Sequence, residues 1–178
     1  MLARLFILTI LFACSGPGLA VEPSMGPVIE GYGPTFPINE RDVPLEEGAV
    51  YKAVFDVGAY SNDMNSINYR LVSVARYLNM HARNGVPVEN MDLAIVMHGK
   101  AVQNLLNNDA YKLRHGIDNP NLELISKLHG AGVKVYICGQ SMSFGGIDKN
   151  ELTSEAKVAL SAMTMLTVLR NDGYALLP

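Results

Sequence analysis

Runs of apolar residues alternate with amphipathic stretches along most of the chain. Five runs that are rich in apolar and β-branched residues predict β-strands, at 51–58, 91–97, 133–138, 158–163 and 174–177. The second and third runs are apolar at nearly every position. Such a pattern is typical of strands in a parallel sheet that are covered on both faces.

Helical periodicity fills the intervals between these strands. A long helix is predicted at 62–84, because its apolar residues recur every three or four positions behind a start signal at Ser61–Asp63. A second helix is predicted at 121–130, and we expect these two helices to cover the faces of the sheet. Shorter helical segments are predicted at 101–106, 142–152 and 165–170. Residues 107–119 are polar and predict a loop with a helical turn.

The alternation of strands and helices predicts an α/β fold. We expect a single domain at 49–178, an open parallel sheet of about five strands with helices on both faces. Residues 21–48 contain five Pro and four Gly, which leaves no periodic pattern. They predict an extended Pro/Gly-rich arm that lies over the domain or over a neighbouring subunit, and a disordered tether remains an open alternative.

Residues 1–20 have the pattern of a secretory signal peptide. Arg4 precedes an apolar run at 5–13, and small residues at Gly18 and Ala20 form a cleavage site. The run is shorter than the roughly 20 residues that span a membrane, so we expect no membrane span in the mature chain. Lipoprotein anchoring at Cys14 is a less favoured alternative, and so is an uncleaved N-terminal anchor.

Composition narrows the classes of partner and cofactor. The chain of 178 residues is 49% hydrophobic and carries a net charge of −3 without any basic block, which excludes a disordered chain and argues against nucleic acid as a partner. His81, His115 and His129 share no metal-ligand spacing, so no metal site is expected. Gly58 alone does not make a phosphate-binding loop, so no nucleotide or flavin cofactor is expected.

Open parallel sheets bind ligands at the carboxyl ends of their strands, and Cys138 ends the third predicted strand. It would be the single cysteine of the mature chain. Such a cysteine in an exported protein is buried and inert, paired with another molecule, or reactive, and the sequence leaves these readings open. The backbone N–H groups of Gly139, Gln140 and Ser141 follow directly and are candidate donors to a thiolate.

The second predicted strand ends at His98, which is followed by Gly99 and Lys100. In a parallel sheet, His98 would lie near Cys138 and act as the base or the cationic partner of the thiol. A strand-end histidine that only completes local hydrogen bonding is the structural alternative. Lys100 would add positive charge to the same cleft. The candidate site therefore has Cys138 as the catalytic residue and these neighbours as binding residues.

Three segments together resemble the DsrE/DsrF-like family, most closely its secreted branch. They are AIVMHG, VYICGQSM and LRNDGYALLP, and the resemblance covers residues 50–178. It implies a five-stranded, flavodoxin-like domain that assembles into trimers or hexamers. It also implies a link to sulfur relay, in which a cysteine carries persulfide sulfur between partner proteins. Cys138 is the position that would match the carrier cysteine.

We therefore expect a periplasmic sulfur-handling protein that carries or transfers sulfane sulfur through Cys138, as a sulfur carrier or a sulfurtransferase. The expected partners are further copies of the chain and a sulfur donor or acceptor protein. One alternative is a non-catalytic module for small-ligand binding or assembly, with a structural cysteine. Another is a thiol-dependent enzyme that acts on a small sulfur compound.

Overall fold

The computed structural model describes residues 22–59 and 63–177 and contains one five-stranded parallel sheet. Its strands are β1 (Tyr51–Val57), β2 (Met91–Met97), β3 (Lys134–Cys138), β4 (Ala156–Ala159) and β5 (Ala175–Leu177). Their order is β4-β3-β2-β1-β5. The prediction of a single open parallel sheet is confirmed, and so is the placement of the two most apolar strands away from its edges.

The described residues form five α-helices around the sheet, and they are α1 (Tyr69–Arg83), α2 (Asn108–His115), α3 (Leu122–Gly130), α4 (Gly139–Phe144) and α5 (Ala162–Asn171). Short 3-10 helices span Val88–Asn90, Gly99–Leu105 and Lys149–Glu151. Within the described ranges, no helix is long and apolar enough to cross a membrane.

The helices divide unequally between the two faces of the sheet. Phe55 and Ile95 point to the face covered by α1 and α3, which we call the α1 face. Val54 and Val96 point to the opposite face, where α5 packs, and we call it the α5 face. The expectation that the helices predicted at 62–84 and 121–130 would cover both faces is wrong, because both pack on the α1 face.

The first helix begins later than predicted. It starts at Tyr69 because Asn68 caps it, with the Asn68 side chain accepting the N–H of Arg70. Asp63 instead accepts local hydrogen bonds from the turn that follows it. The other two residues of the predicted start signal, 61 and 62, lie outside the described residues.

The polar segment 107–119, where a loop with a helical turn is predicted, contains the eight-residue helix α2. Asn107 caps this helix, since its side chain accepts the N–H of Ala110. The helix buries Tyr111 in the core of the α1 face. Most residues of α2 are polar, so the sequence shows no apolar periodicity that would predict a helix of this length.

The fourth strand is shorter than predicted and lies earlier in the chain. It spans Ala156–Ala159 instead of 158–163, because Ser161 caps α5 and its Oγ atom accepts the N–H of Thr164 at 3.0 Å. The last predicted helix therefore begins at Ala162, three residues before the predicted start at 165.

The Pro/Gly-rich arm lies against α1 of its own domain. Asn79 of α1 is fully buried, and its side-chain oxygen accepts the N–H groups of Val28 and Ile29. Its amide donates to the carbonyl oxygens of Ile29, Tyr32 and Gly33. The side chain of Asn79 thus provides hydrogen-bond partners for backbone groups of an arm that forms neither a helix nor a strand.

Candidate functional site

Three strand ends meet at the carboxyl edge of the sheet. β1, β2 and β3 are paired in register up to Met97. The residues that follow, Gly58, His98 and Cys138, therefore lie side by side. The side chain of Cys138 belongs to the small apolar cluster of the α5 face.

The sulfur of Cys138 caps the helix that begins at the next residue. Sγ accepts the backbone N–H of Ser141 at 3.4 Å. The hydroxyl of Ser141 and the backbone N–H groups of Gln140 and Ala162 also lie close enough to this sulfur to lower the pKa of the thiol. Since Ala162 is the first residue of α5, the amino-terminal ends of two helices, α4 and α5, meet at the thiol.

Burial and hydrogen bonding act on this thiol in opposite directions. Burial is the largest single influence and raises the pKa of Cys138, because a thiolate loses its hydration there. The four donors together outweigh burial and hold the pKa of Cys138 below its ordinary value. The residue is 5% exposed. The site thus favours an anionic sulfur that is only narrowly accessible.

The structure places Gly139, Gln140 and Ser141 in the first turn of α4, next to the thiol. Gly139 also has a steric role. A Cβ atom at this position would lie 2.8 Å from the carbonyl oxygen of Ala159. Glycine thus allows the edge strand β4 to approach the end of β3.

His98 is hydrogen-bonded to a carboxylate that the sequence analysis did not single out. Its Nε2 atom lies 2.8 Å from Oδ1 of Asp56 in β1. The imidazole lies against Gly58, where a Cβ atom would come within 2.5 Å of the ring. The hydrogen bonds of the structure thus join His98 to Asp56, while those of Cys138 come from α4 and α5. A base role of His98 towards Cys138 stays a prediction.

Two residues of the site, Asp56 and Ala162, were not predicted from the sequence, for identifiable reasons. Asp56 is an acidic residue inside a strand that is otherwise apolar after Lys52, and no local pattern distinguishes it as a site residue. Ala162 falls in the strand predicted at 158–163, whereas in the structure it is the first residue of α5. The Ser161 cap with Thr164 three residues later was the signal for that start.

Gly99 and Lys100 lie on the other side of α4. The N–H of Gly99 donates to Oγ of Ser141 at 2.9 Å, which joins the 3-10 helix Gly99–Leu105 to α4. Lys100 lies at the wall of a cavity of about 320 Å³ that Ser141 also lines. Among the residues that the structure describes, no group of His, Cys, Asp and Glu is arranged to hold a metal ion.

Comparisons with known proteins agree with this architecture. A model of the DsrE/DsrF-like family matches residues 50–178. Among solved structures, the chain is similar to a protein of unknown function, MTH1491, from Methanobacterium thermoautotrophicum. The TM-score is 0.53 at 18% sequence identity, over 71% of this chain and 97% of that one. At this identity the likeness concerns the fold alone. A comparison with curated proteins finds no match.

Proposed function

The chain belongs to the DsrE/DsrF-like family, and from that premise we propose that it is an exported sulfur-handling protein whose Cys138 carries sulfane sulfur as a persulfide. The observation that carries the proposal is the convergence of backbone and hydroxyl donors on Sγ from α4 and α5. Thiolate is the form that attacks sulfane sulfur. Fixed N–H donors stabilise the negative charge of a thiolate or a persulfide.

The proposed loading step is an exchange between sulfur atoms. The Cys138 thiolate attacks the terminal sulfur of a donor persulfide. A new S–S bond forms at Cys138 while the S–S bond of the donor breaks, and the donor leaves as a thiolate. The reverse steps deliver the sulfur atom to an acceptor. No external oxidant is needed, because the transferred sulfur keeps its oxidation state.

Mass spectrometry of the intact native protein tests this role. After exposure to polysulfide, the wild-type protein should gain about 32 Da, one sulfur atom, and Cys138→Ser should gain none. If the mass increases only after denaturant is added, the carrier role is contradicted.

Two serines of α4 provide a second test of this site, with Ser141 as the test position and Ser143 as its control. Ser141 donates to the thiol, whereas Oγ of Ser143 donates to the carbonyl oxygen of Gly139. Ser141→Ala should slow alkylation by iodoacetamide at pH 7 about tenfold, because a hydrogen bond to a charged group contributes roughly 1.5 kcal/mol. Ser143→Ala should leave the rate unchanged. Equal rates in all three proteins would show that the hydroxyl does not activate the thiol.

One observation favours a second candidate function, a non-catalytic binding or assembly module. Cys138 is 5% exposed and its sulfur caps α4, which a purely structural cysteine could also do. The same polysulfide experiment separates the two functions, because a structural cysteine takes up no sulfur in the native state. A sulfurtransferase, in contrast, would turn over a small sulfur compound without a partner protein.

The export signal belongs to this proposal, with the periplasm as the location. Residues 1–20 lie outside the described residues, so the argument rests on Arg4 and the apolar run at 5–13. The mature protein should begin at Val21. A start at Cys14 with added lipid mass would favour the lipoprotein alternative, and retention of Met1 would contradict export with cleavage.

Exposed apolar side chains support assembly into a trimer or hexamer. Val158 lies on β4, Leu160 follows that strand, and α5 carries Met163 and Val168. Exposed apolar side chains on neighbouring elements are a feature of protein interfaces. Light scattering at micromolar concentration should report the mass of a trimer or hexamer, and a strict monomer would contradict the proposal.

A further inference from the structure

A cavity of about 320 Å³ lies between α2, α4 and the 3-10 helix Gly99–Leu105. One part of its wall is polar and consists of Lys100, Gln103 and Arg114. Another part is apolar and includes Phe144 and Ile147. Cavities of this size, with a few convergent polar groups on an apolar wall, are typical of small-molecule sites.

The polar wall is held in a fixed arrangement. Arg114 donates from two nitrogens to the carboxylate of Glu151, at 2.7 and 3.3 Å, and also to the carbonyl oxygen of Gly146. Burial first, and then the charge of Arg114, lower the pKa of His115. The neutral imidazole donates to Oε1 of Gln103 at 2.7 Å, which leaves the NH₂ group of Gln103 as a donor to a ligand.

The charges of this wall favour an anion. Arg114 and Glu151 balance each other as an ion pair. Within the part of the chain that the structure describes, no ion pair involves Lys100, so its ammonium group leaves the wall with net positive charge. This contrasts with the net charge of −3 for the whole chain.

The apolar wall adds a second requirement. Phe144 lines the cavity and is 93% exposed. Contact with an apolar part of a ligand would be favourable, because it removes the phenyl ring from water. Ile147 next to it belongs to the buried core. A ligand that interacts favourably with both parts of the wall has an anionic group beside the cationic side chains and a short aliphatic part against Phe144 and Ile147.

Ser141 connects the cavity with the thiol. It lines the cavity, its Oγ atom accepts the N–H of Gly99, and its backbone N–H donates to Sγ of Cys138. Cys138 itself does not line the cavity, so Ser141 is the residue through which the cavity adjoins the surroundings of the sulfur. Because Cys138 is 5% exposed, a small thiol reaches this sulfur more readily than the surface of a folded protein does.

We propose that this cavity binds a small thiol with a carboxylate on a short aliphatic chain, and that this thiol exchanges sulfur with Cys138. The exchange rests on the proposed function of Cys138 as a persulfide carrier. The thiolate of the ligand attacks the outer sulfur of the Cys138 persulfide and forms a new S–S bond. The S–S bond at Cys138 breaks, Cys138 leaves as a thiolate, and the ligand departs as a persulfide without net oxidation or reduction.

Binding is tested without the thiol, on the Cys138→Ser variant. Titration with 3-mercaptopropionate should shift the backbone amide NMR signals of Lys100, Gln103 and Ser141, and the neutral 2-mercaptoethanol should bind more weakly. An added Lys100→Gln change should weaken binding of the anion about two- to fivefold, the usual effect of losing one exposed ion pair. Absent shifts around the cavity, or equal binding of both thiols, would overturn the proposed site.

Lys149→Gln is the matched control for this titration. Lys149 is exposed in the 3-10 helix Lys149–Glu151 and does not line the cavity. The control removes the same charge from the protein, so it should leave the affinity for 3-mercaptopropionate unchanged. A loss equal to that of Lys100→Gln would show that only the overall charge matters, and would overturn the site.

The exchange is tested on protein that carries a persulfide at Cys138. The rates of sulfur transfer to 3-mercaptopropionate and to 2-mercaptoethanol are compared at equal thiolate concentration. Lys100→Gln should lower the preference for the anionic thiol about two- to fivefold. An unchanged preference would overturn the exchange. If Cys138 takes up no persulfide, the proposed function and the exchange both fail, whereas the titration still decides whether the cavity binds the anion.

Discussion

The α1 face of the sheet contains most of the apolar core, whereas the α5 face holds the thiol under a single helix. On the α1 face, Leu71, Leu78 and Leu124 have no exposed surface. The cluster on the α5 face is small, and Ala94 and Ala162 lie in it with Cys138. Small side chains there let the first turn of α5 approach the sulfur closely enough for the N–H of Ala162 to lower the pKa of Cys138.

This difference separates what stabilises the protein from what activates the thiol. Buried apolar surface on the α1 face contributes most of the stabilisation from burial. On the α5 face, the positions of a few N–H groups decide the pKa of the cysteine. Substitutions on the two faces should therefore have different consequences.

The largest expected loss of stability comes from the α1 face. Leu78→Ala should lower the free energy of unfolding by about 2–5 kcal/mol, because it leaves a cavity in a fully buried core. Urea unfolding measures the loss. Leu113→Ala is the control, since Leu113 of α2 is 84% exposed and its truncation should change stability by less than about 0.5 kcal/mol.

The same variant tests whether the faces are separable. In folded Leu78→Ala, iodoacetamide should alkylate Cys138 at the wild-type rate, because Cys138 belongs to the cluster of the α5 face and Leu78 to the core of the α1 face. A rate that changes in parallel with stability would show that the core of the α1 face also sets the reactivity of the thiol.

A smaller loss is expected at the cap of α5. Ser161→Ala removes the acceptor of the Thr164 N–H and should cost about 1 kcal/mol of stability. It should also slow alkylation of Cys138, because the neighbouring N–H of Ala162 loses its fixed position. Asn107→Ala removes the corresponding cap of α2 and should cost a similar free energy without slowing alkylation. Equal alkylation rates in both variants would contradict the role of α5.

The smallest effect concerns the other end of the α5 face, where Asp92 lies beside Lys134 and Tyr174. Burial raises the pKa of Asp92, but hydrogen bonds from both neighbours outweigh it, so that the pKa is lowered. The stabilisation is present at neutral pH and is lost as the pH falls through the lowered pKa. It should be below about 1 kcal/mol, because the Lys134 side chain is 42% exposed.

Unfolding measured between neutral and acidic pH tests this contribution. Asp92→Asn should lose less stability than the wild-type protein on acidification, and its Cys138 should be alkylated at the wild-type rate. A steeper loss in the variant would contradict the assigned direction of the pKa shift.

The sequence predicted the sheet better than it predicted the site. The apolar run at 91–97 matches β2 at both ends, because a strand buried on both faces has few polar positions. The position of Cys138 at a strand end was predicted for the same reason. The pairing of His98 with Asp56 depends on strand register, which no local pattern encodes.

The residues at which helices begin were predicted less accurately than the strands. The starts of α1, α2 and α5 depend on one capping side chain each, Asn68, Asn107 and Ser161, and apolar periodicity does not reveal them. The start of α5 is the most important of these for the site, because it places the N–H of Ala162 near the sulfur of Cys138. The activation of the thiol therefore became visible only in the folded chain.

The central claim is that donors from α4 and α5 activate Cys138, and the pH dependence of its alkylation tests this most directly. The rate of reaction with iodoacetamide is measured in the native wild-type protein and in the denatured protein. The native rate should reach half its maximum at a pH below that of a free cysteine, about 8.5. A native midpoint at or above that of the denatured protein, or reaction only in denaturant, would contradict the account.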